Sequence, residues 1–378
     1  MAKQADRIGQ IIGQRYELLQ VIGRGGQGMV YRAQDRWMQR AVAIKVLGSK
    51  AAREAHTVER LMREQQALSA LKGTSAVELF DVCRGNDGEL CLVMELLKGM
   101  DLDEYLYATE QRRERVPLQR IADLFEPIVS TLETAHAAGI LHRDLKPANI
   151  FLLESGDVRL LDFGMARLKK SAPLTAAGTV MGSPSFMAPE AWSGVSDLMD
   201  QRADVYSLGV ILFRVLAGEL PFEGENLTQK FAFATTAARP SLRELRPDLP
   251  RAIDGWVEAA LAIDRDQRFG NVRALWNALL GVLGVQPRGK RSSFWVAAKG
   301  AVQRIAGSNR PAPVPPPVRP LPASSEPSFT REALARSAFR VSSSIDEQPR
   351  PPAPVAEATI ELRDDELKRI GPPPRKRR

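Results

Sequence analysis

The sequence predicts an α+β fold, with strands about a glycine-rich turn near its start, a helix after them and a separate terminal tail. Three observations carry this expectation. The first is a strand, glycine-rich turn and strand in "YELLQVIGRGGQGMVYRAQD" (residues 16–35). The second is helical periodicity in the stretches that follow, as in "VERLMREQQALSALKG", where Leu61, Leu68 and Leu71 fall on one side. The third is a break in composition near residue 285. The 378 residues carry a formal charge of +8, yet residues 286–378 hold 18 Lys and Arg against 9 Asp and Glu, leaving 35 against 36 before them. The same terminal stretch carries 16 of the 26 prolines, including "RPAPVPPPVRP" and "GPPPRKRR". Such a chain buries too little apolar surface to offset its ordering entropy, so a mostly disordered tail is expected, and residues 1–15 are read as an N-terminal extension. The basic balance belongs to that tail, and no nucleic-acid partner is expected from it.

The glycines of "VIGRGGQGMV" stand at G-x-G-x-x-G spacing, which suits a dinucleotide site, a phosphate lid or a tight turn. A dinucleotide fingerprint needs a helix to begin at the motif, whereas "GMVYRAQD" reads as a second strand. A Walker loop needs Gly-Lys-Ser/Thr at its end, and Gly28-Met29-Val30 stands there instead. In "RAVAIKVL" (residues 40–47), Lys45 interrupts an apolar strand, a position where a lysine ordinarily snorkels or lies on an edge. A strand following the glycine hairpin could aim that ammonium beneath the turn. Glu64, in the next helical stretch, is either a plain surface carboxylate or a charge-assisted partner of Lys45.

The only cysteines, Cys83 and Cys91, flank "RGNDGEL" and are placed on the two arms of a hairpin turning at Asn86, Asp87 and Gly88. A cross-strand disulfide is conceivable, but without a secretion signal reduced packing residues are the expectation. No long apolar segment follows Met1, and Lys299 and Arg304 interrupt the best membrane candidate, residues 292–307. A cytoplasmic protein without a transmembrane segment is expected; its oligomeric state is not legible.

The segment "ILHRDLKPANIFLLESGDVRLLDFGMARL" (residues 140–168) contains H-R-D-L-K-P-x-N and, thirteen residues after Asn149, D-F-G. With "MVYRAQD", "VMELLKG" and "MAPE" in the same order, the chain resembles a eukaryotic-type serine/threonine protein kinase of the bacterial kind, from about Tyr16 to Val285. The resemblance implies the two-lobed kinase fold, a small, mainly antiparallel β lobe with one helix over residues 16–98 and a larger, mostly helical lobe over residues 99–285, with ATP and Mg²⁺, or Mn²⁺ in its place, in the cleft, and Ser/Thr-bearing proteins as substrates. It implies that Asp144 orients the acceptor hydroxyl and takes its proton, that Lys146 lies near the transferring phosphoryl group, and that Lys45 is held by Glu64. Asn149 and Asp162 would supply hard oxygen ligands for the metal. Around the nucleotide it implies Ile22, Gly23, Arg24, Gly25, Gly26, Gln27 and Gly28 as the lid, and Val30 and Ala43 above the base. Phe151 would lie below it, with Met94 as gatekeeper and the backbone of Glu95 and Leu97 at the adenine edge. His142 is read as a packing residue of the loop.

Residues 167–190 resemble an activation segment, with Thr175 and Thr179 as phosphorylation candidates ahead of Ser171, and Arg143 as a partner for the added phosphate. Gly182-Ser183 stands where Gly-Thr is usual, which retains a hydroxyl. Asp204 is expected to tie down the catalytic loop, and Glu190 to pair with Arg268; Asp266 replaces a common proline. In the tail, Phe294, Ala298, Val302 and Ile305 lie near one helical face, for docking on the catalytic part or for no contact in preference to a membrane. Thr359, ahead of acidic residues, and the proline runs suggest a phosphothreonine-recognising or Pro-rich-recognising partner.

Overall fold

The computed structural model describes residues 7–25, 28–47, 69–163, 184–193 and 199–288. Gly26, Gln27, Glu64, Ser171, Thr175, Thr179, Gly182, Ser183 and the tail candidates lie outside them.

The small lobe is a six-stranded antiparallel sheet in the order β1-β2-β3-β4-β6-β5. Its strands are β1 (Ile11–Ile12), β2 (Tyr16–Gly25), β3 (Gly28–Asp35), β4 (Arg40–Leu47), β5 (Leu79–Arg84) and β6 (Leu90–Glu95). Bulges between Leu18 and Gln20 and between Val21 and Gly23 increase the twist of β2. The sheet curls until its ends touch: the Tyr16 hydroxyl on β2 donates to Asp81 on β5 over 2.7 Å. Inside the curl lie Tyr16, Leu18, Tyr31, Ile44 and Val93, each at most 2% exposed. Burial of side chains of this size contributes about 1.5–3 kcal/mol each, which is what closes the sheet.

The stretch before Tyr16 takes part in this lobe. β1 pairs with β2 through Ile11↔Glu17 and Ile12↔Tyr16, and a buried ion pair joins Arg7 to Glu89 at the end of the β5–β6 hairpin. A two-residue strand is too short to leave a periodic pattern, which is why the sheet reads from Tyr16 onward in sequence.

The large lobe holds a second antiparallel sheet, β7 (Gly99–Asp101), β8 (Ile150–Leu153) and β9 (Val158–Leu160), and helices α1 (Leu102–Gln111), α2 (Leu118–Ala137), α3 (Arg202–Ala217), α4 (Leu227–Thr236), α5 (Leu242–Leu245), α6 (Ile253–Ala260) and α7 (Val272–Leu283). α3 is mostly apolar and almost wholly buried, as a central core helix must be. It stops at Gly218, whose φ of +85° is a left-handed conformation that glycine takes without a Cβ penalty. α2 buries Ile121, Phe125, Ile128, Leu132 and Ala135, one stripe at three- and four-residue steps. Asn271 caps α7 by accepting from the Ala274 amide, and the Trp276 indole reaches Glu126 on α2 over 2.7 Å. The expected pair of Glu190 and Arg268 is formed in two parallel bonds of 2.8 and 2.7 Å. The guanidinium also donates to the carbonyls of Ala262, Ile263 and Arg202. Every donor direction of this buried group is thereby used, which offsets its desolvation.

Gly28 explains itself by packing. Its φ is +140°, and a Cβ built there would lie 1.9 Å from the Val46 carbonyl oxygen on β4. Gly28→Ala is expected to lower stability by about 1–3 kcal/mol through overpacking, read as a fall in thermal midpoint without any nucleotide present. An unchanged midpoint would show that the strands separate freely at this point.

Candidate active site

Partners across an antiparallel sheet point to the same side, so register sorts the side chains. Val30 pairs with Lys45, Lys45 with Leu92, and Ala43 with Met94. These residues therefore share one face, while Tyr31, Ile44 and Val93 share the buried inner one. The face places Val30, Ala43, Lys45 and Met94 together. Beside them the turn presents Ile22, 46% exposed, with Gly23 and the exposed Arg24. Gly25 is opposite Gly28, closing the hairpin.

Lys45 is buried, and its ammonium donates to both carboxylate oxygens of Asp162, at 2.7 and 2.6 Å. This bridges the small lobe to the segment following β9. A buried lysine needs such a partner, because an unpaired ammonium there would cost several kcal/mol.

The loop between α2 and β8 is anchored from below. Asp204, at the start of α3 and fully buried, accepts from the backbone amides of His142 (2.8 Å) and Arg143 (2.9 Å) and from the His136 ring (2.8 Å). Burial pushes its carboxyl upward, but His136 and the amides outweigh this and hold it below the ordinary aspartate range. Arg143 has φ +64° and Asp162 has φ +60°, left-handed conformations that cost non-glycine residues about 1–3 kcal/mol. The two amide bonds to Asp204 fix the first of them.

His142 is fully buried, and burial lowers its pKa, favouring the neutral ring. Its Nε2 lies 2.9 Å from the Leu161 carbonyl, an acceptor only, so Nε2 carries the proton. Nδ1 then accepts from the Asp144 amide at 3.4 Å. The ring also packs on Phe163, with centroids 4.8 Å apart. His142 thus joins the loop to the D-F-G segment, as a packing residue should. Beyond it, Lys146 donates to Asp144 at 3.1 Å, and the Asn149 amide nitrogen donates to the Asp144 carbonyl at 2.7 Å. With its nitrogen so engaged, Asn149 has its other end, the Oδ1 acceptor, to offer. Two hard oxygen donors, Asn149 Oδ1 and the Asp162 carboxylate, suit Mg²⁺, which keeps several ligand positions for water and phosphate.

The strand between the lobes completes the cleft. The Glu95 amide is taken by the Glu78 carbonyl at 2.9 Å, while Leu97 makes no backbone hydrogen bond to described residues. Across the second sheet, Asp101 pairs with Phe151 and Phe151 with Arg159, so the three share a face. Arg159 donates to the Glu95 carboxylate at 2.9 Å, a second bridge between the lobes. A cavity of about 800 Å³ extends behind Met94, between Leu71, Thr131 and Phe163.

Sequence reasoning missed three of these participants. His136, six residues before His142, could have been suspected as a polar residue within the apolar pattern of α2. Arg159 carries no local signal, since its partner lies 64 residues away in the chain, whereas Asp101 opens a D-x-x-E capping box with Glu104 that could have been read as a helix start. Among the described residues no helix is long and apolar enough to cross a membrane, and no cluster of three His, Cys, Asp or Glu gathers for a metal.

An antiparallel lobe and a helical lobe, with a lysine and two aspartates across the cleft between them, define a two-lobed phosphotransfer scaffold. The chain matches the protein kinase domain over residues 16–277 and belongs to that family. It is 34% identical to the serine/threonine-protein kinase PrkC of Bacillus subtilis over 263 residues, 69% of this chain and 39% of that protein. It is 32% identical to PknA of Mycobacterium tuberculosis over 351 residues, 91% of this chain and 74% of that protein. The crystal structure of the PknI kinase domain of M. tuberculosis superposes with a TM-score of 0.59 at 27% identity, covering 74% of this chain and all of that one. The chain spans well under half the length of PrkC and 44% of a PknB relative from Lactococcus lactis. Within the family it groups with the eukaryotic-type serine/threonine kinases of bacteria.

Asp101 gives a pH test. It caps α1 by accepting from the Glu104 amide, and burial, with Glu104 and Asp103 nearby, pushes its carboxyl up to about 6. A raised acid stabilises most while protonated, and that contribution is lost as pH rises from about 4, the unfolded value, through about 6. Asp101→Asn keeps the cap without the charge. Its thermal midpoint relative to wild type should therefore climb between pH about 4 and 7, and a difference independent of pH would contradict burial of the charge.

Proposed function

We propose that this chain transfers the γ-phosphoryl group of ATP to serine or threonine hydroxyls of proteins, its own activation segment among them. The observation that carries the proposal is the Asp144, Lys146 and Asn149 loop. It is locked by Asp204 and tied through His142 to Leu161 and Phe163, which flank Asp162, whose carboxylate faces Lys45 across the cleft.

Asp144 is assigned the acceptor hydroxyl and its proton; Lys146, within 3.1 Å of it, keeps positive charge beside the moving phosphoryl group. Lys45 holds the nucleotide phosphates, exchanging its contact with Asp162 for them, and Glu64 is its assigned second partner. Asn149 and Asp162 would hold Mg²⁺ or Mn²⁺, which when bound neutralises phosphate charge. The glycine turn, residues 22–28, covers the phosphates. Val30, Ala43 and Phe151 enclose the adenine, Met94 bounds its inner side, and the backbone of Glu95 and Leu97 meets its edge. Thr175 and Thr179 are the assigned regulatory sites. Residues 16–285, with the short strand before them completing the small-lobe sheet, form the catalytic unit, acting in the cytoplasm where ATP is available. The tail recruits a phosphothreonine- or proline-recognising partner.

Asp144→Asn and Lys45→Met should each lower incorporation of labelled phosphate by about 10²–10⁴-fold in the full-length purified chain. Incorporation at the wild-type level in Asp144→Asn overturns the assignment. Comparing the phosphoproteomes of cells carrying wild type and Lys45→Met would then identify substrates.

A further inference from the structure

We propose that Cys83 and Cys91 are a peroxide-responsive dithiol, in which a hydroperoxide oxidises Cys83 and Cys91 closes it to an intramolecular disulfide across the β5–β6 hairpin. The inference is independent of the phosphotransfer assignment. These are the only two cysteines in the chain, and they are direct register partners, Cys83↔Cys91, with side chains on the same side of the sheet. Antiparallel partners have Cα atoms about 4.5 or 5.5 Å apart, depending on the hydrogen-bonding position. Both spacings lie in the range of about 4.4–6.8 Å that a disulfide spans. Because Gly85 donates to the Glu89 carbonyl, alternation makes Cys83↔Cys91 a hydrogen-bonded pair, with Cα atoms about 5.5 Å apart, so closing the bridge draws the two strands slightly together. The register is pinned by the turn, where Gly85 donates to the Glu89 carbonyl at 2.7 Å and Glu89 is held by Arg7.

The two thiols, both free, differ in access and in acidity. Cys91 is completely buried, whereas Cys83 is only partly so, and only Cys83 can meet an oxidant from solvent. The neighbouring Cys91 thiol lowers the pKa of Cys83, while Cys83 and burial raise that of Cys91. The Cys91 thiol itself donates to the Glu89 carbonyl at 4.0 Å. The thiolate is the nucleophile in such chemistry, so the more exposed sulfur is also the more reactive one.

The steps balance. The Cys83 thiolate attacks the peroxide; an S–O bond forms, the O–O bond breaks, and hydroxide leaves to become water. Cys91 then attacks the Cys83 sulfenic acid; the S–S bond forms, the S–O bond breaks, and a second water leaves. Two thiols are oxidised and one peroxide is reduced. β6 runs on from Cys91 to Met94, so the oxidised form carries a covalent clamp three residues from the cleft.

The test treats the full-length chain with hydrogen peroxide at near-equimolar amount, blocks free thiols and digests with trypsin without reductant. Cleavage after Lys72, Arg84 and Lys98 separates the two cysteines, so the expected product is peptide 73–84 joined to peptide 85–98 and released by dithiothreitol. Cys91→Ala should instead accumulate a Cys83 sulfenic acid that dimedone traps, and Cys83→Ala should leave Cys91 a free thiol. Three results would overturn the proposal: both cysteines remaining blockable after oxidation, Cys83 advancing to sulfinic acid with Cys91 still free, or a disulfide that joins two chains on a non-reducing gel. Melting both variants before oxidation establishes that they are folded when tested.

Discussion

A buried carboxylate holds the catalytic end of this molecule in place. Asp204 sits at the start of the central helix with no access to solvent, and isolated there it would be costly to ionise. Three donors converge on it, two from the backbone of one loop and one from α2, and together they keep it charged. That concentration of favourable electrostatics is what sustains a left-handed arginine in the loop. With Arg143 fixed, the chain direction at Asp144 is fixed, and with it the positions of Lys146 and Asn149, which bond back to Asp144. The site is preorganised by a residue about sixty positions later that touches none of the reacting groups.

The opposite wall of the cleft obeys simpler geometry. The period-two alternation of β3, β4 and β6 assigns one set of side chains to the interior of the curled sheet and the other to the cleft. A shift of one residue would exchange them. Lys45 is the one charged side chain on the cleft-facing set of β4, and Asp162 meets it directly. Arg159 and Glu95 form a second connection nearby. Two ion pairs therefore span the lobes at neighbouring points, both partly buried, with the Lys45 ammonium the most enclosed of the four groups.

Legibility in the sequence follows from where each residue's partner lies. The strand, turn and strand around the glycines, the strand with Lys45 and the hairpin bearing both cysteines were readable because alternation and turn residues are local signals. The H-R-D-L-K-P-x-N and D-F-G runs were readable because phosphoryl-transfer chemistry needs several residue types at close spacing. Arg159 and His136 were not. Each has its meaning in a contact made by folding, and a lone Arg or His in a periodic segment looks like surface. Strand β1 was missed for a different reason: two residues cannot display a period.

Gly28 carries a consequence for how loss-of-function variants are interpreted. The third glycine of the motif would ordinarily be credited to the nucleotide, yet its missing Cβ makes room for the Val46 carbonyl of a neighbouring strand. A variant recovered at this position in a genetic screen for inactive protein would carry a folding lesion before any ligand arrived. Its suppressors should fall among residues that loosen the β3–β4 contact, away from those that face phosphate. Gly25, whose partner across the hairpin is Gly28 itself, is the cleaner place to ask what the turn does for the ligand.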